Sequence, residues 1–281
     1  MLKNAALILA AAVLIFGFAL GIRFYITEEA FEETEEGVAV PILMYHNITD
    51  KTTGDKYTVT AAELESDLKY ICDNGYTVVG LNDLIAYTEG KGSLPEKPIV
   101  LTFDDGYESV YAIGLPLFEK YSCKAVVGVI GELTELFTRE EDHNIAYSHL
   151  NWEEINEMSK TGLFEFQNHT YALHEIKNGR KGAAQKSGES YEAYKKILAE
   201  DVERLNNDIL SYTGVMPTSF IYPYGNFNEN TEVIIKETGF KSILNCYEKV
   251  NYIDSPDDLL GLCRFLRPSG ETSAEIFSKF Q

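Results

Sequence analysis

The chain is short of cationic side chains: 24 Lys and Arg stand against 44 Asp and Glu in 281 residues, a formal charge of −20. A field of that sign repels nucleic acid and anionic membrane surfaces, so a neutral substrate is the easier partner. Cysteine is sparse too. Cys72, Cys123, Cys246 and Cys263 lack the density or short spacing of a disulfide scaffold or a zinc knuckle. Cys72 shares a helical face with Leu64, Leu68 and Ile71 and reads as core packing, and a pairing of Cys246 with Cys263 stays open alongside free thiols. No low-complexity tract or fixed-period repeat is visible, which excludes solenoids and arrays. The single Trp, Trp152, lies in a helix-start segment and reads as a packing residue rather than a sugar platform.

What is present begins with an uncharged run, Ala5 to Ile22, long enough to approach the roughly 30 Å hydrocarbon core of a bilayer. Residues 1–26 are therefore expected to be a signal anchor, with a cleaved signal peptide as the competing reading because Ala19-Leu20-Gly21 offers small residues at the end of the run. Either reading places the remainder outside the cytoplasm. Residues 27–37 form an acidic linker, and residues 38–281 are expected to make one domain.

Within that domain apolar strands alternate with amphipathic helices. Strands are expected over Val38 to His46, Tyr76 to Val79, Pro98 to Phe103, Ala125 to Ile130, Leu163 to Gln167, Ser219 to Tyr222 and Lys241 to Leu244. Helices are expected between them: after the capping box Thr60/Glu63, over Asn82 to Tyr87, near Glu108 to Lys120, after the capping box Asn151/Glu154, and over Tyr191 to Tyr212. The pattern implies an α/β fold with parallel pairing, a closed or distorted (β/α) barrel. In such barrels polar residues at C-terminal strand ends gather around one cavity. Here those ends carry His46, Asp104 with Asp105, His169, and Tyr224.

Three short elements carry chemistry. Thr102-Phe103-Asp104-Asp105-Gly106 sets two carboxylates at a strand end, where their side chains diverge unless Gly lets the backbone turn. His169 and His174 are five apart, about 140° on a continuous helix, so they share a metal only across a strand-to-turn junction. With Asp105 they make a two-imidazole, one-carboxylate set with positions left for water and substrate. Ile221-Tyr222-Pro223-Tyr224-Gly225 is a strand end turned by Pro and Gly, where a backbone N–H can approach a ligand.

In this order the three elements resemble the polysaccharide deacetylase superfamily, carbohydrate esterase family 4, over roughly Val38 to Gln281. The resemblance implies a distorted (β/α) barrel, Asp104 as general base, and Asp105, His169 and His174 as ligands of a divalent metal, commonly zinc. The five-residue histidine spacing and the opening strand Pro41-Ile42-Leu43-Met44-Tyr45-His46 resemble the poly-N-acetylglucosamine deacetylase branch. Two departures stand out: Ile221 occupies the position of a usual Arg, and no downstream Leu-x-x-His supplies the usual general acid. That branch implies His46 as the substitute acid, and Arg264 or Arg267 is placed to restore the lost charge by pairing with Asp104.

The resemblance further implies a backbone oxyanion contact at Tyr224. It also implies an acetylated amino-sugar polymer as partner; membrane attachment is expected through the uncharged N-terminal run, and the chain is expected to be a monomer. His143 and His149 are expected at the surface, and the basic run Lys177 to Gly182 as a solvated loop.

Overall fold

The structure, a computed structural model, describes residues 37–140 and 142–280. The expected anchor and all but the last residue of the expected linker lie outside the described residues. Among the described residues no helix is long and apolar enough to cross a membrane.

One eight-stranded parallel sheet organises the domain. Its strands are β1 (Ile42–Tyr45), β2 (Thr77–Val78), β3 (Pro98–Phe103), β4 (Ala125–Val129), β5 (Phe164–Asn168), β6 (Ser219–Ile221), β7 (Ser242–Leu244) and β8 (Phe265–Leu266). The order is β7-β6-β5-β4-β3-β1-β8, with β2 beside the start of β3. Between the two edges runs one short segment: Leu262 bridges Leu244, while Phe265 and Leu266 pair with Leu43 and Met44. The sheet is thus a half-barrel whose edges this segment ties together, in keeping with the expected distorted (β/α) barrel.

Helices α1 (Ala61–Asp73), α2 (Leu81–Thr88), α3 (Leu115–Tyr121), α4 (Gly131–Glu140), α5 (Trp152–Lys160), α6 (Tyr191–Thr213), α7 (Glu229–Glu237) and α8 (Ser273–Phe277) complete the main elements. Both expected capping boxes form, with Glu63 N donating to Thr60 Oγ1 at 3.1 Å and Glu154 N to Asn151 Oδ1 at 2.9 Å. The helix expected near Glu108 to Lys120 is broken. A π turn, Val110–Gly114, precedes α3 because Pro116 has no N–H and its ring would clash with the Ala112 carbonyl in a regular helix.

Strand alternation explains why both faces are apolar. Ile42, Val100, Val126, Ile221 and Leu244 fill the barrel interior, while Leu43, Tyr45, Leu101, Phe103 and Val127 pack outward under the helices. Following the interior parity upward in steps of two gives Ile42, Met44, His46 on one strand and Val100, Thr102, Asp104 on its neighbour. Met44 and Thr102 are in register. The same alternation that builds the core therefore delivers His46 and Asp104 to the barrel mouth.

One packing expectation fails, and the open question of a disulfide is answered. Cys72 is exposed, because it lies about 80° around the helix from Leu64, at the margin of the buried stripe. Cys246 and Cys263 are free thiols rather than a disulfide. Trp152 packs as expected, buried and stacked on Tyr212 with centroids 4.7 Å apart.

Candidate metal and catalytic site

The Asp-Asp-Gly turn solves the divergence problem through backbone strain. Asp105 has φ 71° and Gly106 φ 68°, so the chain reverses its twist immediately after β3. A left-handed conformation costs a non-glycine residue of order 1–3 kcal/mol and persists where its surroundings enforce it. Here His149 enforces it: its Nδ1–H donates to the Asp105 carbonyl at 2.8 Å, and its ring stacks on Tyr107. His149 is buried, contrary to its expected surface placement, because Tyr107 and His149 form an isolated antiparallel bridge that no local pattern announces. His143 keeps 56% of its side chain exposed.

Asp105 then meets both imidazoles. Its Oδ1 lies 3.1 Å from His174 Nε2 and 3.5 Å from His169 Nε2. His169, fully buried at the end of β5, donates its Nδ1–H to the Ile221 carbonyl at 2.8 Å, which fixes the tautomer and leaves Nε2 facing Asp105. Thr170, at φ 74°, is the second left-handed residue; it makes the strand-to-turn junction that brings His174 back beside His169, ring centroids 4.8 Å apart. Three donor atoms within 4.8 Å of one another, two imidazole and one carboxylate, fit a single divalent ion at roughly 2.0–2.2 Å from each.

Asp104 points to the barrel axis and is 4% exposed. Arg264, itself fully buried, grips it bidentately, Nη1 to Oδ1 at 2.6 Å and Nη2 to Oδ2 at 2.8 Å. Arg264 is held in turn by Asn245 O and Thr102 Oγ1, at 2.9 and 3.1 Å. Burial pushes the Asp104 carboxyl up, but Arg264, then His169 and His46, bring it below its ordinary range. For Asp105 burial is likewise outweighed, here by hydrogen bonds from His169 and His174. Arg267 takes a different partner: its Nε meets the buried Asp67 at 2.6 Å, far from Asp104 in the chain and in role.

His46 lines the same cleft, its Nδ1 buried with no hydrogen-bond partner among the described residues and its ring edge-on to Tyr57. Burial pulls its pKa down, and the Asp104 and Asp105 carboxylates oppose that pull. Tyr224, a further left-handed residue of the site at φ 58°, packs its exposed ring tilted against His174, centroids 4.5 Å apart. The cleft they share has a volume of about 630 Å³.

The basic run is not a solvated loop throughout. It forms a hairpin, Ile176–Lys177 with Arg180–Lys181, whose Arg180 is buried against Glu189 at 2.5 Å. Lys181 lines the cleft, and its carbonyl accepts from Asn226 Nδ2 beyond the Tyr224 turn.

A parallel β/α half-barrel with carboxylates and imidazoles converging at its C-terminal strand ends defines the class: a β/α-barrel protein with a three-donor metal-type site in its mouth. The chain belongs to the polysaccharide deacetylase family, whose sequence profile matches residues 91–243. It is 27% identical over 205 residues to a poly-beta-1,6-N-acetyl-D-glucosamine N-deacetylase of Staphylococcus aureus, covering 72% of this chain and 65% of that protein. The chain thus spans just under two thirds of the length of the curated relatives it matches.

Among solved structures, a de-N-acetylase from Aggregatibacter actinomycetemcomitans superposes with a TM-score of 0.74 at 27% identity, over 86% of this chain and 100% of the other. IcaB from Ammonifex degensii gives 0.72 at 26% identity, over 88% and 98%. These relatives accord with the resemblance to the poly-N-acetylglucosamine branch.

Proposed function

We propose that this protein hydrolyses N-acetyl groups on an N-acetylglucosamine-containing polysaccharide, with Asp105, His169 and His174 holding a divalent metal, zinc by donor chemistry. The observation that carries the reading is the division of labour in the Asp pair: Asp105 faces two imidazole Nε2 atoms, while its neighbour Asp104 is locked by Arg264 away from that set. A divalent metal in such a site polarises an amide carbonyl and makes water nucleophilic at neutral pH.

Asp104 is the general base. Its carboxylate is kept ionised by Arg264 and so accepts the proton of the attacking water. The Tyr224 turn presents a backbone N–H to the developing oxyanion, a contribution of roughly 3–4 kcal/mol for a single such donor. The carbon–nitrogen bond then breaks to acetate and a free amine, and the amine nitrogen must be protonated as it leaves. His46, in the same cleft, is the residue from which that proton comes; burial lowers its pKa overall, and the Asp104 and Asp105 carboxylates act against that fall and so support the imidazolium needed for the transfer. Arg264 stands in for the charge absent at Ile221, reaching Asp104 from the segment that ties the barrel edges rather than from β6.

The substrate polymer is proposed from the relatives' names and from the net charge, which favours a neutral polymer over an anionic wall. The uncharged run Ala5 to Ile22 supports an extracytoplasmic catalytic domain, residues 38–281, tethered to the membrane.

The test is acetate release by the full chain from β-1,6-linked and β-1,4-linked N-acetylglucosamine oligomers and from peptidoglycan fragments. Release from the β-1,6 oligomer, abolished in Asp104→Asn, is the expected result. A folded chain that binds these glycans but releases acetate from none of them is a glycan-binding protein, and the reading fails.

A further inference from the structure

Outside the cleft, Glu108, His143 and Glu154 bring two buried carboxylates and an imidazole together, their donor atoms within 4.8 Å of one another. His143 Nδ1 lies 2.9 Å from Glu108 Oε1 and 3.9 Å from Glu154 Oε1. Two anions this deep need either protons or a counter-cation, since an unpaired buried carboxylate costs several kcal/mol.

The hydrogen bonds around them only partly answer that need. The capping box occupies Glu154 Oε2 with the Asn151 N–H, which leaves Oε1 turned toward His143. Among the described residues Glu108 Oε2 has no hydrogen-bond partner, and it is buried on a residue only 5% exposed. Beside the cluster a cavity of about 290 Å³ opens to solvent; His143 and Glu154 line it together with Glu153 and Glu157, an anionic approach that reaches two of the three groups, with Glu108 behind them.

We propose that Glu108, His143 and Glu154 form a second divalent-cation site, separate from the cleft. Two carboxylates and one imidazole with an open side facing the cavity suit Zn²⁺ or Mn²⁺. The position gives the site a structural consequence. Glu108 follows Asp105-Gly106-Tyr107 directly, and its N–H donates to Ser148 O at 2.8 Å, next to the His149 that enforces the Asp105 turn. A cation there ties the start of α5 and the segment carrying His143 to the loop that sets Asp105.

The experiment counts metal. The full chain, stripped with chelator and re-equilibrated with Zn²⁺ and separately with Mn²⁺, is passed through gel filtration and its metal content measured. Asp105→Ala/His174→Ala disables the cleft set. Two equivalents in the wild type and one in that variant are expected, and adding either Glu108→Gln or His143→Ala should remove the remaining one or weaken it at least tenfold. His143→Ala is the guard against misfolding, since that side chain is half exposed, and circular dichroism checks both variants. The proposal is overturned if the Asp105→Ala/His174→Ala chain keeps no equivalent of either metal, or keeps one that neither further substitution disturbs.

Discussion

Replacing Arg264 by Leu removes the guanidinium that pairs Asp104 through bonds of 2.6 and 2.8 Å and leaves that carboxylate buried without a partner. The Asn245 carbonyl and Thr102 Oγ1 lose their donors as well. Breaking a buried ion pair from one side costs about 3–5 kcal/mol, because the surviving charge keeps its desolvation penalty. For a domain of this size each kcal/mol moves Tm by about 2–4 °C, so a fall on the order of 6–20 °C is expected. The assay is thermal unfolding by circular dichroism in chelator, which keeps metal binding out of the comparison. The same substitution in an Asp104→Asn background should cost at least about 1 kcal/mol less, since no stranded charge is left to stabilise. An Arg264→Leu cost below about 1 kcal/mol, or equal costs in both backgrounds, would refute the claim that Arg264 serves to hold Asp104.

Other consequences can be checked separately. His46→Gln should lower turnover of the acetamido sugar by about 10²–10⁴-fold yet spare an activated aryl acetate, whose phenolate leaves without a proton; equal losses on both would remove His46 as the acid. Glu165, partly buried near the start of β5 where it accepts from the Asn82 N–H, has its carboxyl raised to about 7 chiefly by burial. The native state therefore holds that proton between roughly pH 4.5 and 7 while the unfolded chain has lost it, and stability falls as pH rises through that window. Glu165→Gln should flatten this slope and gain up to about 3 kcal/mol at pH 8 with no gain at pH 4, measured by urea unfolding. An unchanged slope would show that another group causes it. A Cβ at Gly182, which has φ 60°, would lie 2.8 Å from the Pro223 carbonyl. Gly182→Ala should therefore displace the Tyr224 turn and lower kcat with little loss of overall fold, and unaltered kinetics would argue against that turn contributing to the reaction.

The parts of the site legible in the sequence are those fixed by periodicity along a single strand. Val100, Thr102 and Asp104, and likewise Ile42, Met44 and His46, alternate into the barrel, so their convergence follows from strand parity once parallel pairing is inferred. Arg264 was readable in part by the same rule: Leu262, Arg264 and Leu266 alternate, and both leucines face inward or line the cleft. That Arg264 rather than Arg267 meets Asp104 depends on the register of a two-residue strand, and no sequence pattern sets that. His149 illustrates the other limit. Its placement rests on a bridge to Tyr107, 42 positions earlier, within a segment of no periodicity. The carboxylate of Glu154 was readable as a capping-box member, but its burial beside Glu108 is a tertiary fact. Cys72 shows the cost of extending a helical stripe one residue too far, to a helix margin that nothing covers.

The most direct test of the central claim, that Asp105, His169 and His174 hold the metal on which deacetylation depends, is acetate release from a β-1,6 N-acetylglucosamine oligomer by the full chain before chelation, after chelation and after Zn²⁺ is restored, with Asp105→Asn in parallel. Loss on chelation, recovery with Zn²⁺ and no recovery in Asp105→Asn are expected. Undiminished release from the stripped chain, or full activity in Asp105→Asn, would contradict the claim.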